Sequence, residues 1–265
     1  MPEPDCEISR DNLLGGRVTI LQPAGGYRTA IDPILLAAAV PAQPGETILD
    51  AGSGTGAAAL ALAARLEGVH VVGLDCEPGF IGLARNSAEE SGLSQSIRFV
   101  EGDLLSPPSD LVAGSFDHVM ANPPYLAAAS GNPPADAAKR AATVESGARL
   151  DDWLGFLLTM ARPGGTVTVI HRYDRKDEVI AGLGVEGGGL VVFPLWAKAQ
   201  EARSGISRDR DKNKQGEGAK RVIVQGRKDG VGKTRTAAGL VLHRQDGAFT
   251  PEAEAVLRDA HALAL

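Results

Sequence analysis

Cysteine, clustered histidine and long apolar runs are all scarce in this chain, and each scarcity removes a class of protein. Cys6 and Cys76 are the only cysteines in 265 residues. Their spacing suits neither a zinc site nor a disulfide framework, so two free thiols in a reduced compartment are expected. Five scattered histidines give no zinc pattern either, and His118, inside an apolar run, reads as a strand residue rather than a base. No apolar run is long enough to span a bilayer, and the Pro/Glu/Asp-bearing N-terminus does not read as a signal peptide. A cytoplasmic protein with no membrane partner is the expectation.

Positive charge is short overall and concentrated locally. The net charge is −6, yet Arg203 to Arg235 holds eleven Lys/Arg against four acids, leaving −13 on the rest. Such segregation suits a face that tracks phosphates; a solvated loop that orders on RNA is compatible with it, since Ser204 to Gly218 is nearly devoid of apolar residues.

What is abundant is an alternation of short apolar strands with alanine-rich helices. That is the pattern of an α/β fold, a parallel sheet covered on both faces. The chain is long enough to bury such a core as one domain: residues 1–40 as a strand and helix extension, 41–265 as the main body, with a basic loop near 203–220. A strand is expected over Arg17–Leu21 and a helix from about Pro33 to Val40. Later elements are a helix over Asp151–Met160, strands over Thr166–Ile170, Leu190–Leu195 and Arg221–Gln225, and a terminal helix capped by Thr250. Pro163-Gly164-Gly165 is expected to break the chain before its strand.

Two motifs carry the chemistry. Ile48-Leu49-Asp50-Ala51 runs into Gly52-Ser53-Gly54-Thr55-Gly56 and then an alanine-leucine helix. Alternate glycines let the backbone approach a ligand, and the helix start behind them offers unpaired N–H groups. Asp75 ends the next strand 19 residues beyond Gly56, the interval of a carboxylate that binds ribose hydroxyls. Asp103 ends a third strand and could accept from an adenine amine. Gly52-x-Gly54-x-x-Ala57 also satisfies the dinucleotide fingerprint, so nicotinamide competes on this motif alone.

The second motif is Asn122-Pro123-Pro124-Tyr125, after the strand-like run Phe116–Ala121. Two prolines force a stiff extended elbow. It presents the Asn122 side chain and the Pro123 carbonyl as paired acceptors for a planar NH2, with Tyr125 placed to stack on the group carrying it.

With Asp50 before the glycine turn, Asp103 after the third strand and this elbow after the fourth, the chain resembles class I S-adenosylmethionine-dependent methyltransferases. The resemblance implies a Rossmann-like sheet of seven strands, mostly parallel with an antiparallel last strand. It implies S-adenosylmethionine over Asp50, Gly52, Gly54 and Gly56, held by Asp75 and Asp103. Asn122, Pro123, Pro124 and Tyr125 become the catalytic elbow, and no metal is called for. Leu14–Arg17, Gln22-Pro23 with Gly26-Tyr27-Arg28, Asp32–Ala37 and Lys220–Arg227 are further similar to bacterial tRNA adenine-N6 methyltransferases acting beside the anticodon of a valine tRNA. That branch implies adenine in tRNA as substrate, with Arg28 and Asp32 closing the cofactor pocket; Ala30 stands where the family has glycine.

Two alternatives stay open. The same elbow serves enzymes that methylate a glutamine amide in release factors, which carry a helical domain before the glycine motif where about 47 residues stand here. A non-catalytic RNA-binding module on this fold is the other. Leu126 to Arg149 is a candidate substrate lid, with Lys139, Arg140 and Arg149 able to meet phosphate. Gly230-Val231-Gly232-Lys233-Thr234 ends like a phosphate loop, but Arg227 stands where that loop needs glycine. Oligomeric state is left open, a homodimer included.

Overall fold

The computed structural model describes residues 7–25, 29–125, 147–199 and 218–265. Among the described residues there are eleven strands: β1 (Ile8–Leu13), β2 (Val18–Pro23), β3 (Thr47–Ala51), β4 (His70–Asp75), β5 (Ile97–Glu101), β6 (Phe116–Ala121), β7 (Ala161–Arg172), β8 (Gly187–Lys198), β9 (Arg221–Lys228), β10 (Arg235–Thr236) and β11 (Leu240–His243). The helices are α1 (Asp32–Ala39), α2 (Ala57–Arg65), α3 (Pro78–Glu90), α4 (Leu150–Met160), α5 (Lys176–Leu183) and α6 (Pro251–Leu257).

Seven strands form a sheet in the order β5-β4-β3-β6-β7-β9-β8. All pair in parallel except β9, which runs antiparallel between β7 and β8. This is the α/β Rossmann-like methyltransferase sheet, mostly parallel with antiparallel pairing at one end. Two short strands extend it beyond the expected seven. β10 and β11 both pair with β8, where Leu195 faces Arg221 on one side and Leu240 on the other.

Alternating strand residues feed two cores. Ile48, Met120, Ile170 and Ile223 pack with α1, α2, α3 and α6 on one face. Leu49, Val119, Val169 and Val224 pack with α4 and α5 on the other. Ala57 to Ala63 of α2 are all buried. The terminal helix begins where the sequence places it: the Thr250 hydroxyl accepts from the Ala253 N–H at 3.1 Å, an N-cap bond.

One expectation is corrected. Pro163-Gly164-Gly165 does not separate α4 from its strand, because β7 already begins at Ala161. Ala161 pairs with Phe116 and Thr166 with His118, and the extra residues are absorbed in a bulge where Gly164 takes φ +73°. His118 is a buried strand residue, bonded to Thr166 Oγ1 at 2.6 Å and Glu46 Oε2 at 2.8 Å.

The β1–β2 hairpin is antiparallel and docks on α3. Its inner edge would leave backbone groups unpaired, and Ser87 of α3 and Ser91 at its C-cap supply the partners. Ser91 Oγ accepts from the Thr19 N–H at 3.0 Å and donates to the Thr19 carbonyl at 3.1 Å. Ser87 Oγ, fully buried, accepts from the Leu21 N–H at 2.9 Å and donates to the Leu83 carbonyl at 2.7 Å. Ser87→Ala orphans the Leu21 N–H inside a packed contact and is expected to cost about 1–3 kcal/mol. Urea unfolding of the two proteins measures it, and an unchanged midpoint would show that water replaces the serine.

Candidate active site

Strand register brings the two motifs together. Ala51, the last residue of β3, pairs with Ala121, the last of β6, so Gly52 and Asn122 leave the sheet side by side. β4 and β5 lie on one side of β3, and β6 and β7 on the other. This reversal of direction is the switch point, where open α/β sheets hold their ligands. A cavity of about 270 Å³ opens there, lined by Asp50, Gly52, Gly54, Asp75, Asp103, Asn122 and Pro124 among others.

The glycine turn is pinned from behind. The Gly52 and Ser53 N–H groups donate to the Leu74 carbonyl at 2.7 and 2.9 Å, and Asp75 Oδ2 accepts from the Gly54 N–H at 2.7 Å. The three glycines differ in role. Gly54, at φ +54°, faces open space where a Cβ would meet nothing within 4 Å. A Cβ on Gly52 would lie 2.4 Å from Cη2 of Trp153, and one on Gly56 2.6 Å from Cζ of Phe99. Gly56 is therefore a packing glycine at the start of α2 and does not line the cavity.

Asp50 is buried at 2% exposure, and its carboxylate accepts from the Ala59 N–H at 3.1 Å. Burial first, then the charge of Asp75, pushes it up to about 8, against only that one compensating bond. Asp75 is likewise raised by burial; its other oxygen accepts from the Glu77 N–H at 3.0 Å. With Glu77 and Asp103, four acids and no lysine or arginine line the cavity among the described residues.

On the other side, Asn122 Oδ1 is buried and has no hydrogen-bond partner, as is Ser53 Oγ in the glycine turn. An unmet buried acceptor costs about 1–3 kcal/mol, so both atoms await a donor. Tyr125 lies behind the elbow rather than in the cavity wall. Its hydroxyl donates to Asp32 Oδ2 at 2.6 Å, and Arg221 Nε donates to the same oxygen at 2.9 Å. The Arg221 guanidinium sits 4.4 Å from the Tyr125 ring centroid, and His171 meets the ring edge-on at 5.4 Å. Asp32 thus anchors the elbow and is not part of the cavity lining. Pro123 is next to the lining but outside it, and Pro124 takes its place.

Arg28 and residues 126–146 of the candidate lid lie outside the described residues, as does most of the basic loop. Of the lid's end, Gly147 and Ala148 line the cavity, while the Arg149 N–H donates to Asp152 at the start of α4. Trp153, Phe80, Cys76 and Leu104 complete the wall. No spacing in the sequence marks these four. Among the described residues no cluster could hold a metal ion, and no helix is long and apolar enough to cross a membrane.

Residues 48–144 match the model of a methyltransferase domain. The chain is 41% identical over 93 residues to a release factor glutamine methyltransferase of Chlorobaculum tepidum, a match covering 35% of this chain and 32% of that protein. It is 25% identical over 137 residues to an rRNA N(6)-adenosine-methyltransferase of Caenorhabditis elegans, covering 51% and 56%. The crystal structure of a predicted O-methyltransferase from Agrobacterium tumefaciens superposes with a TM-score of 0.68 at 25% identity, covering 88% of this chain and 99% of that one. The chain thus spans from a third to just over half of the curated relatives. The matched segment, which carries both the glycine turn and the elbow, is thus similar to a methyltransferase domain, and the sheet is that of the Rossmann-like methyltransferase fold.

The residues present fit S-adenosylmethionine. Acid-lined walls suit its two cationic groups, Gly54 leaves room for close approach, and Ser53 Oγ and Asn122 Oδ1 are unmet. Asp50, Asp75 and Asp103 would hold it. Because folded Asp50 binds its proton more tightly than the unfolded chain, its contribution to stability falls as pH rises from about 4 to about 8. Asp50→Asn removes that slope. Melting temperatures of the ligand-free proteins are expected to diverge in favour of the variant as pH rises, and parallel curves would refute a protonated Asp50.

Proposed function

We propose that this chain transfers a methyl group from S-adenosylmethionine to the nitrogen of a planar NH2 group. The observation that carries this reading is Asn122 Oδ1, a buried acceptor without a partner in the wall of the cavity that would hold the cofactor. An amide or aryl NH2 is a poor nucleophile because its lone pair is conjugated. Two fixed acceptors, Asn122 Oδ1 and the Pro123 carbonyl, take its two hydrogens and turn that lone pair out of the plane. When bound, S-adenosylmethionine supplies a methyl group on a sulfonium already activated by its charge. The chain's task is alignment: the stiff elbow sets the nitrogen, and burial keeps water from competing for it. A hydroxyl acceptor would satisfy only one of the two acceptors, so the oxygen chemistry in the structural relative's name is not carried over.

Of the molecules that bear such a group, a glutamine amide in a protein substrate is the better supported, because the stronger sequence similarity is to a release factor glutamine methyltransferase. Adenine N6 in RNA, with tRNA as the form suggested by the N- and C-terminal segments, is the second reading. The similarity to an adenosine methyltransferase over half of the chain and the cation-rich stretch from Arg203 to Arg235 favour it. Purified protein incubated with methyl-labelled cofactor and either release factors or total RNA separates the two. Label in protein supports the first and label in RNA the second. No label in either leaves the chain a non-catalytic member of the fold.

Asn122→Ala is expected to lower turnover at least about a hundredfold and to leave cofactor affinity within a fewfold. Calorimetry and a labelled-methyl assay measure the two. Loss of affinity in step with turnover would refute the role of Asn122 as acceptor-side polariser.

A further inference from the structure

One buried polar side chain beside the elbow has no task in the chemistry above. His171 stands in β7 two residues past Val169, which pairs with the last residue of β6. Continued in that register, His171 is level with the elbow, while Val222 of β9 flanks its other side. The side chain is fully buried, and neither ring nitrogen has a hydrogen-bond partner. Its ring meets Tyr125 edge-on, the planes at 74°. The Pro124 carbonyl lies close enough to favour a protonated ring without being hydrogen-bonded to it. Burial, then the charge of Arg175, outweighs that carbonyl, the Arg172 backbone and Glu178, so the group is pushed down to about 4 and the imidazole is neutral. Asp174 also feels the ring across the turn that follows. A neutral imidazole offers one N–H and one acceptor nitrogen.

The elbow lacks what His171 has. Pro123 and Pro124 contribute carbonyls and no N–H, so their stretch of backbone cannot be pinned by donors of its own. We propose that His171 is a positioning residue for the acceptor nitrogen: its N–H takes up the Pro124 carbonyl when an NH2 group engages Asn122, and so fixes the elbow in the aligned form. This rests on the N-methyltransferase reading above. A bond left unmade in the ligand-free protein and made on engagement places interaction energy in the state that leads to transfer. Asp32 and Arg221 hold Tyr125 from the outer side, and His171 completes the support from beneath.

Two measurements test it. His171→Phe, which keeps the packing and removes the donor, is expected to lower kcat about tenfold or more. The acceptor KM should rise with that loss, because the bond is present in the bound complex, while cofactor affinity should stay within about twofold. His171→Asn, which keeps an N–H near the position of Nδ1, should recover most of the loss. Equal losses in both variants, or no loss in His171→Phe, overturn the proposal. Independently of turnover, the His171 N–H can be followed by NMR in wild-type protein labelled at histidine nitrogen. Its signal should move to the hydrogen-bonded range when S-adenosylhomocysteine is joined by N-acetylglutaminamide or adenosine monophosphate. A signal unmoved by both probes overturns the role. Failure of the wild-type protein to methylate protein or RNA would instead remove the reaction, while the NMR result would still decide where the imidazole N–H goes.

Discussion

The pairing of Ala51 with Ala121 is the contact on which the rest of the site depends. It sets β3 and β6 in a register that releases Gly52 and Asn122 at the same level of the sheet, one strand spacing apart. Core packing keeps that register. Leu49 and Val119 feed one core while Ile48 and Met120 feed the other, and a slip by one residue would exchange the faces of a whole strand. Each large apolar side chain displaced in this way forfeits about 1.5–3 kcal/mol of burial. The distance between cofactor turn and acceptor elbow is thus maintained by side chains that touch neither ligand.

Charge is divided along the same line. Asp75, Glu77 and Asp103 gather at the cavity on the β3–β5 side, where they favour a cation, beside an Asp50 that burial keeps protonated. Arg221, Arg172 and Arg175 gather at the β7–β9 side behind the elbow. Each of these cations has its acid: Arg172 pairs with Asp174, Arg175 with Glu178, and Arg221 with Asp32, whose carboxylate also bonds the Tyr125 hydroxyl. The neutral acceptor group would meet the cofactor between the acid-lined cavity and this set of paired charges.

The sheet was legible in the sequence because its strands are short apolar runs punctuated by glycine, proline and acids, and those same residues carry the two motifs. Asp50, Asp75, Asp103 and Asn122 could be named because each lies at a fixed offset from a strand end, where parallel strands open onto a ligand. The rest depends on neighbours that spacing does not encode. Gly56 reads as a ligand glycine but is claimed by Phe99, 43 positions further on. Trp153 reaches Gly52 from a helix on the opposite face, and His171 reaches the elbow only through the β6–β7 register. Pro163-Gly164-Gly165 has the composition of a break, yet a bulge absorbs it because the flanking residues still find ladder partners in β6. The short β10 and β11 carry too few residues to show a period; β8 recruits them with its unpaired edge.

Tyr125 shows how far such neighbours can redirect a residue. An aromatic after two prolines invites the reading of a stacking platform, and as an isolated motif nothing contradicts it. In the folded chain one approach to the ring is taken by the Arg221 guanidinium and its edge by His171, while its hydroxyl is bonded to Asp32. α1, β7 and β9 therefore meet on a single side chain, and the elbow is braced from three directions that are independent of the cofactor turn. A bond to a charged partner such as Tyr125–Asp32 is worth about 1.5–3 kcal/mol. That is enough to make the orientation of Tyr125 a property of the fold. The brace on Tyr125 is then built before any ligand arrives. What remains to be made on binding is confined to the few polar atoms left unmet: Asn122 Oδ1 and Ser53 Oγ in the cavity wall, and the nitrogens of His171 beneath the elbow.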